Sequence, residues 1–246
     1  MFYLGTHEPL WLQRTSVPLF VSRSRIAGRC KKNPPKALGR WALDSGGFTE
    51  IHKFGEWVLT ARDYADEVMR YADEMGNLDW AAPQDWMCEP SALKASGLTV
   101  ADHQRNTVNN FLELRDVLGV LVIPVIQGWS RDDYLRNVDQ YEAAGVDLSS
   151  ESLIGLGSIC RRNREAEIAG IISILHPLQL HGFGVKGAGL INNAKFLKSA
   201  DSMAWSFSAR YEPPLKGCSH PHCNNCIKYA LKWRESLLSK VEWSVI

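Results

Sequence analysis

Short apolar runs alternate with amphipathic stretches along most of the chain, a pattern that predicts βα units around a parallel sheet. The runs fall at Pro18–Ser22, Trp41–Asp44, Leu78–Ala82, Val120–Ile126, Ser152–Leu156, Gly182–Val185 and Ser202–Ser208. Helical periodicity occupies Ala61–Met75, Val100–Val117, Arg131–Ala144, Arg164–Leu175 and Asn192–Ser199, and a last amphipathic stretch, Asn224–Leu238, follows a group of cysteines. Continuous apolar segments such as VLVIPVI suit a sheet buried on both faces. Seven or eight such units predict an α/β fold, a compact TIM-like (β/α)8 barrel, with an open doubly wound sheet as the alternative. No repeat, low-complexity segment or linker interrupts the pattern, so residues 1–246 are expected to form one domain.

Composition narrows the class. With 246 residues, 45% hydrophobic and 22% charged, the chain can bury a full-sized core, which excludes a peptide, a disordered tail and a coiled coil. A net charge of +1 gives no global signature for nucleic acid or membrane, so any such signal is local. No 18-residue apolar run exists and the N-terminus lacks the form of a secretory signal, so a soluble, cytoplasmic protein without a membrane partner is expected. Nine Trp are present; Trp86, Trp129 and Trp205 lie beside polar or turn residues, where an indole can stack on a ligand, although packing is the simpler use.

Charge is uneven. Between Pro9 and Leu43 every charge is positive (Arg14, Arg23, Arg25, Arg29, Lys31, Lys32, Lys36, Arg40), a stretch able to grip phosphates or to offset the acidic segment 44–89. Arg161, Arg162 and Arg164 form a second basic group.

Four constellations carry candidate chemistry. Asp44-Ser45-Gly46-Gly47-Phe48 directly follows a strand, where α/β proteins collect functional groups and glycines admit a flat ligand; an ordinary Asx turn is the plainer use. Asp79 and Asp85, interleaved with Trp80 and Trp86, can supply a carboxylate that takes two N–H donors from a purine-like edge. Gln127-Gly128 and Gly155-Leu156-Gly157-Ser158 also end strands; an amide side chain and glycine-flanked N–H groups can hydrogen-bond a ring carbonyl. Finally, Cys218, His220, Cys223 and Cys226, with His222 to spare, can close a tetrahedral Zn2+ site with no open position for catalysis, placing a structural zinc segment at about 216–238.

These motifs together resemble the tRNA-guanine transglycosylase superfamily, most closely the phage and bacterial branch that inserts 7-deazaguanine derivatives such as preQ0 into DNA. DSGGF at Asp44–Phe48, the segment Asp201–Arg210 and the Cys218 cluster carry the resemblance, in the family's order. His220 stands where a cysteine is usual, and Cys226 replaces a more distant histidine. The resemblance implies a pentosyltransferase in which Asp201 is the nucleophile, Asp44 handles protons, and Asp85, Gln127 and the Gly157–Ser158 backbone hold the base. Because Asp201 would then stand near the start of the run Ser202–Ser208 and not at a strand end, the strand there is expected to be displaced towards Ala200–Ala204. Ser158 where a second glycine is usual, and Thr49 after DSGGF, both touch the implied base pocket. Arg23, Arg25, Arg29, Lys31, Lys32 and Arg210 are the expected nucleic-acid contacts. DNA is the favoured polymer because the chain ends shortly after Cys226 without appended RNA-binding modules; tRNA is the alternative, as is a non-catalytic subunit. The resemblance also implies a homodimer.

Overall fold

The computed structural model describes residues 1–30, 32–160 and 165–243. Eight parallel strands form one sheet: β1 (Phe2–Thr6), β2 (Leu19–Ser22), β3 (Trp41–Asp44), β4 (Leu78–Ala81), β5 (Val125–Ile126), β6 (Ile154–Leu156), β7 (Leu180–Gly182) and β8 (Ser199–Ser202). They lie in the order β4-β3-β2-β1-β8-β7-β6-β5. A parallel bridge between Ala81 and Val122, with Ile123 N–H donating to the Ala81 carbonyl at 3.2 Å, joins the β4 edge to the residues leading into β5. The sheet is therefore curled and consistent with a TIM-like fold.

The helices between and after the strands are α1 (Arg23–Arg29), α2 (Gly47–Phe54), α3 (Ala61–Met75), α4 (Pro90–Ser96), α5 (Val100–Leu118), α6 (Arg131–Ala143), α7 (Glu165–Leu175), α8 (Gly187–Asn193), α9 (Ala204–Ser208) and α10 (Ile227–Leu238). The longer ones start where capping chemistry dictates. Thr60 opens α3 by accepting from Asp63 N–H, and Thr99 and Ser130 open α5 and α6 with reciprocal capping boxes to Asp102 and Asp133.

Alternation along each strand splits the core in two. Phe2, Leu4, Trp41, Leu43 and Ala81 point outward to the helices, whereas Tyr3, Ala42, Trp80 and Ala82 point inward with Ile123 and Leu153. At the amino ends of the strands the interior closes on a polar plug. Arg40 Nε donates to Asp79 at 2.7 Å, Tyr3 donates to the same carboxylate at 2.8 Å, and Trp80 donates to Tyr3 Oη at 3.2 Å.

Several segments differ from the sequence pattern for identifiable reasons. β1 has no counterpart in the expected strands; all five of its residues are buried between β2 and β8, so no polar alternation marks it. The run 120–126 yields only a two-residue strand, because the chain is still turning out of α5 through Gly119, at φ 55°. β7 begins two residues earlier than expected, its ladder with β6 and β8 being ended by Gly184 at φ 59°. β8 is the polar stretch Ser199–Ser202, and the apolar residues after it form α9 instead. The helix expected at 192–199 is displaced upstream to α8. Lys31, Arg161, Arg162 and Arg164 lie outside the described residues. Among the described residues no helix is long and apolar enough to cross a membrane.

Candidate active site

The carboxyl ends of the strands surround a cavity of about 690 Å³. Thr6, Ser22, Asp44, Asp201 and Ser202 reach it from strand ends, and Asp85, Gly157, Ser158, Phe183 and Gly184 from the loops just beyond. This is where parallel α/β folds gather function, since side chains from distant parts of the sequence converge there.

Asp44 ends β3. The chain then turns through Gly46, at φ 85°, a left-handed conformation that glycine adopts without the Cβ penalty, and this lets α2 start at once with Gly47 and Phe48 lining the cavity. Ser22 and the Gly46 N–H hydrogen-bond the Asp44 carboxyl, yet burial, reinforced by the charge of Asp201, holds its pKa above the usual carboxylate range. Asp44 and Asp201 thus face one cavity, and the charge of Asp201 acts on Asp44.

Asp85 belongs to a continuous polar wall. Buried Ser45 donates to Asp85 Oδ1 at 3.0 Å, and Gln127 Nε2 donates to Oδ2 at 2.6 Å. The Gln127 oxygen accepts from Ser158 Oγ at 2.6 Å, which in turn accepts from Cys88 N–H at 2.7 Å. Gln127 is fixed through its backbone as well. Its N–H donates to Asn137 at 2.7 Å, and its carbonyl accepts from Gln104 at 2.7 Å. Gly157 lies flat against the Gln127 amide, and a Cβ there would collide with it. Burial first, then the charge of Asp44, pushes the Asp85 pKa up to about 7.

Asp201 lies in β8 between β1 and β7, almost fully buried. Its Oδ1 accepts from Gly184 N–H at 2.9 Å and is 3.3 Å from His181 Nε2. Two further groups carry no sequence motif. Buried Glu89 lines the cavity and contacts Ser158 Oγ at 3.3 Å, and fully buried His181 supports Asp201 from behind, out of β7. Both were hidden because neither follows the carboxyl end of an expected strand; His181 directly precedes the run expected for its strand, Gly182–Val185.

Other expectations land elsewhere. Asp79 is part of the plug at the opposite end of the strands. Trp80 fills the interior, and Trp86 packs against Ile51, Met87 and Ala92, so neither forms the wall beside Asp85. Trp205 is core, donating to the Gly5 carbonyl at 2.8 Å. Gly128 approaches the start of α6 and does not line the cavity; nor do Ser45, Gly46 and Gln127, of which Ser45 and Gln127 stand behind Asp85 as its hydrogen-bond partners.

Residues 1–245 match the family described as DpdA, DeoxyPurine in DNA protein A. The chain belongs to the DpdA family. DpdA proteins form a family like the tRNA-guanine transglycosylases that inserts 7-deazaguanine into DNA. Comparison with curated proteins gives no match.

The cations of this DpdA chain divide into two sets. Arg23 is spent internally: Nε donates to Glu67 at 2.6 Å, Nη1 lies 3.5 Å from Glu50, and its side chain is only 12% exposed. Lys32 stands apart, beside Asp63, Asp66 and Glu67. Arg25, Arg29 and Arg210 are exposed, and all three act on His7 at the cavity edge. His7 is held below the ordinary imidazole range by burial and by these cations, against the opposite pull of Glu8, with which Arg29 pairs. Beside Arg210, Phe207 (61% exposed) lines the cavity and Tyr211 (76% exposed) packs on it with ring centroids 5.1 Å apart.

The DpdA chain also brings Cys218, His220, Cys223 and Cys226 together, their ligand atoms all within 4.8 Å of one another. Cys218 Sγ to Cys226 Sγ is 3.9 Å and His220 Nε2 to Cys223 Sγ is 3.2 Å. A tetrahedral zinc site with Zn–S bonds near 2.3 Å has an edge of about 3.8 Å, so the cluster can hold a metal ion of that kind. His222 is exposed and stands outside the group. The segment is tied to the exit of β8: Ser206 in α9 donates to the Asn224 carbonyl at 2.7 Å, and Cys226 occupies the N-cap position of α10, which packs on α9.

Proposed function

We propose that this protein replaces guanine in DNA with a 7-deazaguanine base through a covalent aspartyl intermediate, using a (β/α)8 barrel as its frame and Zn2+ as a structural ion. The observation that carries the reading is the placement of Asp44 and Asp201 at the ends of β3 and β8 on one cavity, with a third acid, Asp85, wired to an amide beside them.

A base within a stack cannot present its sugar carbon, so the target nucleotide is extruded into the cavity. Arg25, Arg29 and Arg210 hold backbone phosphates at the mouth, and Phe207 with Tyr211 offers a surface on which unstacked bases rest. Within the cavity, Asp85 accepts from the N1–H and N2–H donors of the base, while Gln127 and the Gly157–Ser158 backbone take its O6 edge.

Asp201 attacks C1′ as the C1′–N9 bond breaks, the electron pair leaving with guanine, and Asp44 delivers the proton that guanine takes up. The raised pKa of Asp44 suits a group that must hold that proton and later accept one from the incoming base. That base attacks C1′ through N9, the bond to Asp201 breaks, and the carboxylate is restored. Retention through two displacements is the logic of a nucleophilic carboxylate paired with a second acid.

The four-residue metal site would hold zinc with no open coordination position, so it serves to fix the segment after Asp201 and takes no part in the exchange.

The test is exchange of radiolabelled guanine out of DNA and out of tRNA, measured side by side with 7-deazaguanine bases offered as partner. Exchange in DNA that disappears in Asp201→Asn together with the covalent adduct supports the reading. Exchange confined to tRNA overturns the polymer, and adduct formation by Asp201→Asn overturns the nucleophile.

A further inference from the structure

The Asp201 carboxylate is held asymmetrically. Oδ1 receives the Gly184 N–H at 2.9 Å and faces His181 Nε2 at 3.3 Å, whereas among the described residues Oδ2 receives no hydrogen bond. His181 is fully buried in β7, and its other ring nitrogen, Nδ1, is 2.8 Å from Oγ of Ser199, its direct partner in the ladder with β8. Four rings clamp the imidazole: Trp80 at 4.6 Å, Phe183 at 4.8 Å, Phe20 at 5.8 Å and Tyr3 at 5.9 Å between centroids. The ring therefore has one orientation available to it.

Chemistry fixes the direction of the hydrogen bonds. A carboxylate only accepts, so Nε2 carries the hydrogen in its bond to Asp201; in a neutral imidazole Nδ1 is then an acceptor, and the Ser199 hydroxyl is its donor. The result is a relay from Ser199 through His181 to Asp201 Oδ1, joined there by a backbone N–H.

We propose that His181 is a positioning residue that selects which oxygen of Asp201 reacts. The inference rests on the assignment of Asp201 as the nucleophile. With Oδ1 tethered from two sides, Oδ2 is the oxygen presented to the cavity. As Oδ2 bonds to C1′ and the C1′–N9 bond breaks, Oδ1 becomes the carbonyl oxygen of an ester and keeps both donors. When N9 of the incoming base attacks C1′ and the C1′–Oδ2 bond breaks, the electron pair returns to the carboxylate. The donors at Oδ1 then meet the charge that spreads onto it. Fixed donors aimed at developing charge cost no reorganisation at the moment of reaction, which makes this contact worth more in the transition state of the return step than in the ester that precedes it.

His181→Phe fits a site already walled by aromatic rings but removes both hydrogen bonds, and His181→Gln restores a donor. Single-turnover adduct formation and release are measured alongside KM for the 7-deazaguanine base and for DNA. In His181→Phe, turnover is expected to fall by about 10- to 100-fold with both KM values changed less than about twofold, and His181→Gln is expected to recover most of the loss. Ser199→Ala leaves the packing in place and frees the imidazole to adopt the wrong tautomer, so a smaller loss in kcat alone, about 3- to 10-fold, is expected even if His181→Phe does not fold. Wild-type turnover in Ser199→Ala or in folded His181→Phe overturns the proposal, as does an equal loss in the Phe and Gln variants. Absence of any adduct in the wild-type protein instead overturns the assignment of Asp201 on which it rests.

Discussion

Gln127 turns its amide nitrogen, not its oxygen, toward Asp85: Nε2 stands 2.6 Å from Asp85 Oδ2, and the oxygen is held on the other side by Ser158. If Asp85 receives the base as proposed, the acceptor that a guanine edge needs is occupied by the protein's own donor, and an entering base must take over that bond.

Because Asp85 titrates near pH 7, base binding is expected to be pH-dependent. Below that value the carboxyl carries a proton and accepts poorly, so affinity for 7-deazaguanine rises as pH increases through about 7 and then levels. Stability runs the other way. The fold favours the protonated acid, so this group's contribution is complete below its ordinary pKa of 3.8 and is lost as pH rises to about 7. Calorimetric titration and thermal unfolding from pH 4 to 9 check both slopes, which Asp85→Asn is expected to flatten while weakening base binding at least about tenfold.

Gly157→Ala is expected to leave a folded protein with base affinity reduced by about tenfold or more, because the added methyl displaces the Gln127 amide from Asp85. Equilibrium binding of the free base, with a circular dichroism spectrum as the control, decides it. Unchanged affinity would mean that the amide does not read the base.

The two classes of arginine are expected to separate by salt. Removing Arg25, Arg29 or Arg210 lowers the slope of log affinity for DNA against log salt by about one each, with little change in melting temperature. Arg23→Ala leaves that slope intact and instead costs about 1–3 kcal/mol of stability, since Glu67 and Glu50 lose their buried partner.

Cys223→Ser is expected to lower metal content and melting temperature together. The side chain is buried, and its segment clamps α9 just after Asp201. Elemental analysis with a chelator titration measures the first and calorimetry the second; a metal-free variant of full stability would contradict the structural role.

Much of this was legible in the sequence where local signals were strong. Trp41–Asp44 and Ala61–Met75 have the bounds that apolar pattern and capping predict, and strand ends pointed to Asp44, Asp85, Gln127 and Ser158 before any contact was known. Signals failed where pairing overrode propensity. Ser199–Ser202 has the poor strand composition Ser-Ala-Asp-Ser, and only its ladders with β1 and β7 make it a strand. Arg23 looked like its exposed neighbours in the basic stretch, yet acids on α2 and α3, invisible at that separation, claim it. His181 carried no motif at all; its use follows from β7 and β8 lying side by side.

The first strand is also the one against which the last is built. Phe2, Tyr3 and Leu4 pair with Ala200, Asp201 and Ser202, and the Met1 amine donates to the Lys198 carbonyl across 197 positions of sequence. Bringing such distant segments together is entropically costly and slow, and it is rewarded only when the intervening chain has already condensed. Asp201 therefore reaches its final setting in the same event that joins the two ends of the sheet's winding. During folding, the placing of the Asp201 carboxylate coincides with completion of the scaffold, so partly folded chains are expected to lack an assembled cavity.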